Sequence, residues 1–185
     1  MTNEVLETIK RRRSVRAFTE VQVDREMLQA ILEAGIYAPY AMPDARHIAA
    51  VQDAALIDRL NTEAKAIAVQ FQIPGLVEIA QKESYSCVHH APTVIIISGN
   101  EATISPETDC SAAAQNMLLA AESLGLGACW VFFMTLAFHS PEAAALREAL
   151  QIPDGFKPAV SIALGHKKDA SVRIMERSME LVSIV

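Results

Sequence analysis

The chain has 185 residues, a net charge of −6, and a composition 51% hydrophobic but only 5% aromatic, so its core must be built from Ala, Leu, Ile, Val and Met. That length fits one domain, residues 1–185, with a sizeable core. The acidic balance argues against nucleic acid or an anionic membrane as partner, and no stretch approaches the ~18 apolar residues of a bilayer span.

In chain order, Val5 to Lys10 reads as a short helix with Val5, Leu6 and Ile9 on one face. Asp24 starts a second helix through Met27, Leu28, Ile31 and Leu32. It should end near Gly35 or Tyr37, because Pro39 disfavours helical geometry before it. Ile48 to Val51 predicts a strand. Asp53 to Lys82 is helical with a break at Pro74-Gly75. Pro92 to Ile97 is a buried strand, β-branched on both faces. Asp109 to Leu124 predicts a long helix, apolar nearly all round and therefore central and buried, closed by Gly125. Ala128 to Phe133 follows as a strand. Ser140-Pro141-Glu142 signals a helix start, Pro153-Asp154-Gly155 a turn, and Ala159 to Leu164 a strand. Alternation at Met179, Leu181, Ser183 and Val185 predicts a terminal strand. The fold class is α+β, a short sheet wrapped by helices.

Lys10-Arg11-Arg12-Arg13-Ser14-Val15-Arg16 is strongly basic in an acidic chain. Cations at a helix C-terminus account for Lys10 and Arg11. An extended chain beyond them would place Arg12, Ser14 and Arg16 on one side, two guanidinium forks and a hydroxyl suited to a phosphate. Gly125-Leu126-Gly127-Ala128-Cys129-Trp130 is not a dinucleotide loop, because its glycines follow a helix and precede a strand. Gly125 caps, and Gly127 lets the backbone turn into the strand. Cys87-Val88-His89-His90 has metal-ligand residue types but no second cluster at ligand spacing, so no metal is expected. Three unpaired cysteines, Cys87, Cys110 and Cys129, and the lack of a signal peptide point to a reducing, cytoplasmic setting.

Together, Arg12-Arg13-Ser14-Val15-Arg16-Ala17-Phe18, Ala38-Pro39, the segment Asp109 to Trp130, Ile152-Pro153-Asp154-Gly155-Phe156 and Ile162-Ala163-Leu164-Gly165-His166 resemble, in order and spacing, the motifs of the nitroreductase family. The resemblance implies a domain-swapped homodimer with a short mixed or antiparallel sheet, and FMN in clefts between subunits. It places Arg12, Arg13, Ser14 and Arg16 at the flavin phosphate and ribityl chain. Either Arg177 or Arg173 would join them from the C-terminus. Pro39, Tyr40 and Ala41 would lie at one side of the ring and Trp130, Val131 and Phe132 at the other, with the Phe132 backbone N–H near N5. No catalytic side chain is then required.

The implied activity is transfer of electrons from NAD(P)H to an electron-poor small molecule, a nitroaromatic or quinone, by a ping-pong hydride-transfer mechanism. Reductive dehalogenation, flavin breakdown or flavin storage are the alternatives. The chain departs from the family where Tyr40-Ala41-Met42-Pro43-Asp44-Ala45-Arg46-His47 replaces the usual Asn and Gln-Pro-Trp. There Arg46 either contacts ring carbonyls or an anionic substrate, or is a surface arginine. Phe132-Phe133 stands where Gly is common, and Asn61 to Ser84, which includes lid positions, shows no substrate signature.

Overall fold

A computed structural model describes residues 2–169 and 177–185. Asn3 caps α1 (Glu4–Arg11) by accepting a hydrogen bond from the Leu6 N–H, 2.9 Å. Next come α2 (Arg25–Ile36), β1 (Arg46–Val51), α3 (Ala54–Gln70) and α4 (Pro74–Gln81). Asp24 precedes α2 without a side-chain cap bond. Pro74 opens α4 at a first-turn position, where its missing N–H has no helical partner to lose. After β2 (Thr93–Asn100) comes α5 (Pro106–Ser123), which starts one turn before Asp109, again on a proline.

Gly125, at φ 79°, closes α5. Its N–H reaches Glu122 O at 3.1 Å and the Leu126 N–H reaches Ala121 O at 2.9 Å, the two bonds of a Schellman motif. The strand expected through Phe133 stops earlier: β3 is Gly127–Val131, and Phe133–His139 is a 3₁₀ helix. The helix signalled at Ser140 begins later, as α6 (Ala143–Ala149), with Ser140 Oγ accepting the Glu142 N–H at 3.2 Å. Finally β4 (Phe156–Gly165) starts three residues before the expected Ala159.

The four strands form one antiparallel sheet in the order β1-β2-β4-β3, with Ile97 opposite Ile48 and Val160, and Cys129 opposite Ala163. β2 is buried on both faces. Ile95 and Ile97 pack with Ile162, Leu164 and α5's Ala113, Ala114 and Met117. Val94 and Ile96 face the opposite cluster of α3 and the 3₁₀ segment, with Leu60, Ala64, Met134 and Leu136. This two-sided burial is why the strand reads as an unbroken β-branched run rather than an alternation.

Two expectations fail. The tail 177–185 contains no strand, and Leu181 and Ile184 are fully exposed, so the alternation there finds no sheet within this chain. Nor is α5 buried all round: Ala113, Ala114, Met117 and Leu118 face the core, while Gln115 and Ser123 are exposed and Asn116 and Leu119 half-buried. Small alanines gave that outward face its apolar reading. No helix among the described residues is long and apolar enough to cross a membrane.

Candidate functional site

The basic run leaves α1 at Arg12, where the backbone turns extended (φ −51°, ψ 133°). Ser14 then forms a parallel bridge with Ala128, and the Val15 N–H donates to Ala128 O at 3.0 Å. The run is thus a stub laid along the outer edge of β3. Val15 and Phe18 are buried in the core, and that anchorage turns Arg16 outward. Further along, the Thr19 N–H to His166 O bond (2.9 Å) and a Phe18–Lys167 bridge tie the run to the end of β4. Gly127 has a different job from the expected turn. A Cβ there would lie 2.8 Å from Val15 Cγ1 and 3.0 Å from Lys167 Cγ, so the missing side chain lets the run approach β3.

The charges of this segment divide sharply. Arg11 Nε and Lys167 Nζ each lie 2.9 Å from a different oxygen of the buried Glu122 carboxylate, in the last turn of α5. Arg11 is therefore fixed by an ion pair rather than only by the helix end. Arg13 folds back, donating from one guanidinium nitrogen to Lys10 O and Arg12 O. Arg12 and Arg16 form no ion pair with any described residue, and between them sits the half-buried Ser14. Two unmatched guanidinium groups flanking a hydroxyl, on a pinned backbone, make a donor set that fits a phosphate ester. Behind them the Cys129 thiol is pushed up by burial, an effect that Arg16, Ser14 and Arg12 oppose.

A second group of expected site residues lies at the other end of α5. Pro39, Tyr40 and Ala41 form the turn before β1, with Tyr40 and Met42 exposed. The Ala41 N–H donates to Asp109 Oδ1 at 3.1 Å. Arg46 is committed to this turn's backbone. Its guanidinium donates to Ile36 O (3.2 Å), Ala38 O (2.6 Å), Pro39 O (3.0 Å) and Asp109 O (3.2 Å), and lies 5.4 Å from the Tyr40 ring centroid. It is therefore the organiser of the turn rather than a free contact for a ring carbonyl.

Trp130 is partly exposed on the edge strand β3, Val131 is buried beside it, and Phe132 follows with its ring mostly exposed. Phe132 O accepts the Thr135 hydroxyl at 2.9 Å, starting the 3₁₀ turn. The structure thus joins Arg12, Ser14 and Arg16 to the β3 residues through a continuous edge. It does not join them to Pro39–Ala41. Asp109 and Glu122 mark the two ends and are thirteen residues apart on one helix, about 20 Å. Arg177 is exposed in the irregular tail, and Arg173 falls outside the described residues.

Glu122, Asp109 and Arg46's actual role escaped the sequence reading. Glu122 had a usable signal: a carboxylate in the last turn faces the negative end of the helix dipole and needs cations to stay there. Asp109 had none, being an ordinary first-turn acid. Burial raises all three thiols, Cys87 to about 11 and Cys110 to about 12, so each is a protonated core residue. No cluster of three metal-ligating side chains occurs among the described residues.

A family model described as the nitroreductase family matches residues 9–166. The chain aligns over its whole length, and that of the other chain, with a nitroreductase with bound FMN from Bacteroides fragilis NCTC 9343, at 38% identity and a TM-score of 0.92. A nitroreductase with bound FMN from Desulfitobacterium hafniense DCB-2 is 27% identical with a TM-score of 0.90, again covering both chains fully. The NADPH-flavin oxidoreductase of Vibrio harveyi is 28% identical over 170 residues, 89% of this chain and 66% of that one.

Proposed function

This chain belongs to the nitroreductase family, and from that premise we propose that it is an FMN-dependent oxidoreductase taking electrons from NAD(P)H and passing them to an electron-poor small molecule such as a nitroaromatic or quinone. The observation that carries the reading is the unmatched pair Arg12 and Arg16 with Ser14 between them, pinned to β3. FMN, when bound, supplies hydride chemistry at its N5. The chain's part is to bind, orient and exclude water. Arg12, Ser14 and Arg16 hold the phosphate and ribityl chain, with Arg177 as the C-terminal contributor. Arg13 supports them by fixing the end of α1. Trp130, Val131 and the Phe132 backbone flank the ring, and no side chain is asked to act as acid or base. Donor and acceptor would use the same cleft in turn.

The cleft is completed by a second copy. Within one chain the phosphate grip and the Pro39–Ala41 turn sit at opposite ends of α5, so they cannot meet on one flavin. An isologous pairing across the outward face of α5 places each end beside its opposite in the partner. The surface fits that use. A groove of about 420 Å³, lined by Val5, Ala34, Tyr37, Leu119 and Ala120 among others, runs beside that face. Ile9, Ile36 and Tyr37 are exposed around it. The apolar tail 177–185 is a second segment for the partner to cover, in keeping with a domain-swapped dimer.

The test is spectroscopic. Purified protein should be yellow or take up added FMN, bleach with NADH or NADPH, and recover colour on addition of a nitroaromatic. Absence of flavin uptake sinks the reading, and uptake without bleaching leaves a flavin-storage protein. Arg12→Ala should weaken FMN binding several-fold to a hundredfold, about 1–3 kcal/mol for a lost charge-assisted bond. Unchanged retention would reject the grip.

A further inference from the structure

A carboxylate in the last turn of a helix faces the negative end of the helix dipole, so Glu122 does not by itself stabilise α5. It is nonetheless buried, only 7% exposed. Its backbone is fixed by the helix cap, where the Gly125 N–H donates to Glu122 O at 3.1 Å. Its two carboxylate oxygens are divided between cations from different parts of the fold. Arg11, the last residue of α1, places Nε 2.9 Å from Oε1, and Lys167, just past the end of β4, places Nζ 2.9 Å from Oε2.

These two cations bracket the open part of the basic run. Arg11 directly precedes Arg12. At the other end Lys167 bridges to Phe18, the Lys168 N–H donates to Ala17 O at 3.0 Å, and the Thr19 N–H donates to His166 O at 2.9 Å. Between these ends the run is tied to β3 by the Val15 N–H on Ala128 O at 3.0 Å. The Lys167 stem passes close over Gly127, where an added Cβ would lie 3.0 Å from Lys167 Cγ. Among the described residues, Glu122 is the one carboxylate ion-paired to the run or to the strand end that holds it.

A negative charge beside a donor set suited to a phosphate is unfavourable by itself, so its presence calls for an account. Two cations on one carboxylate leave the trio positive, and the field stays attractive to an anion. What the carboxylate adds is spacing. By holding Arg11 and Lys167 on one pair of oxygens it fixes the start of the run relative to its end, and so the separation of Arg12, Ser14 and Arg16 suspended between them. Charge-assisted bonds to a phosphate depend on that separation. We propose that Glu122 is a positioning residue of the flavin phosphate site, acting through Arg11 and Lys167, and that it sets the preference for a phosphorylated over an unphosphorylated flavin. The assignment rests on the FMN reading above. It also accounts for the division of the arginines, since Arg11 is spent on shaping the run while Arg12 and Arg16 stay open to the ligand.

The test is fluorescence titration of the flavin-free full chain with FMN and with riboflavin, which lacks the phosphate, in wild type, Glu122→Gln and Glu122→Asp. Aspartate keeps the charge but is shorter, so it cannot hold both cations where they stand. Each variant should weaken FMN about three- to tenfold and leave riboflavin within about twofold of wild type. A role in folding alone lowers both ligands equally, because both lose the same folded fraction, and equal losses overturn the proposal. FMN binding unchanged or tightened in Glu122→Gln means that the carboxylate only screens the cations, and also overturns it. So does a Glu122→Asp protein that matches wild type while Glu122→Gln is weakened, since charge rather than spacing would then be the cause. Should Glu122→Gln fail to fold, the ratio of the two affinities in Glu122→Asp decides. A wild type that binds FMN no better than riboflavin overturns the positioning role while flavin binding stands. If the wild type binds neither, the FMN reading fails first and this inference with it.

Discussion

At the C-terminal end of α5, Arg12 and Arg16 carry guanidinium groups matched by no described carboxylate, whereas at the N-terminal end Arg46 commits hydrogen bonds to four backbone carbonyls. The residue type is the same and the helix is the same. What differs is whether the fold has already used the donors. An arginine whose fork is filled by its own chain shapes the backbone, and one left open is a recognition group. The two ends also differ in how they were built: the first is pinned by strand pairing and by two cations on the buried Glu122 carboxylate, the second by one long side chain.

The largest effect expected from breaking this contrast is at Arg46. Arg46→Ala leaves the carbonyls of Ile36, Ala38, Pro39 and Asp109 without that donor, at a cost of about 2–4 kcal/mol, reduced from the sum of four charged bonds because the site is partly solvated. Urea denaturation measures the loss. Hydrogen exchange should show residues 37–41 opening first. Arg46→Lys should recover only part, since a single ammonium does not reproduce a planar fork. Equal stability of all three proteins would remove Arg46 from its organising role.

At the other end the counterpart is Gly127→Ala. The added methyl meets Val15 Cγ1 at 2.8 Å, on a β-branched side chain fixed in the core. The run must lift off β3, costing about 1–3 kcal/mol and displacing Ser14 with it. FMN affinity should fall together with stability, whereas Arg12→Ala should lower affinity and leave the urea midpoint within about 0.5 kcal/mol of wild type. A Gly127→Ala protein with normal flavin binding would show that the close approach is not what shapes the grip. Glu122→Gln is milder. It removes the charge that Arg11 and Lys167 share, but Arg11 is more than half exposed and water replaces the lost partner, so about 1–2 kcal/mol is expected.

How far the residues disclosed this arrangement varies with the range of the interaction responsible. The helices, the strands β2 and β4, and the Gly125 cap follow from local periodicity and cap chemistry, which a linear sequence displays directly. The exposure of the basic run's alternate side chains was legible because alternation along an extended segment is also local, and the phosphate grip is proposed from it. The run's division into committed and open arginines was not, since Glu122 reaches Arg11 from 111 residues away in sequence and Lys167 reaches Glu122 from 45. The role of Arg46 was hidden for a similar reason, because backbone carbonyls have no sequence signature. The terminal alternation does not become a strand because alternation predicts a strand but not the edge it needs, and residues 177–185 reach none among the described residues. The sequence of α5 reads as buried on both sides because alanine is compatible with core and surface alike.

The smallest signal carries the sharpest distinction, whether the two ends of α5 serve one flavin across a dimer. Let Arg12→Ala and Arg46→Lys be made as separate proteins, each weakened in FMN binding, then unfolded together and refolded. If grip and turn belong to one cleft within a chain, every site in the mixture carries one defect and no affinity returns. If the cleft spans two copies, a mixed dimer holds one doubly defective site and one intact site. Random pairing makes half the dimers mixed, so about a quarter of all sites regain wild-type affinity. Flavin fluorescence at a concentration below the mutants' Kd reads that fraction. A mixture no better than its parents would return the two arginines to independent sites, and the comparison between the ends of α5 would then be one of stability alone.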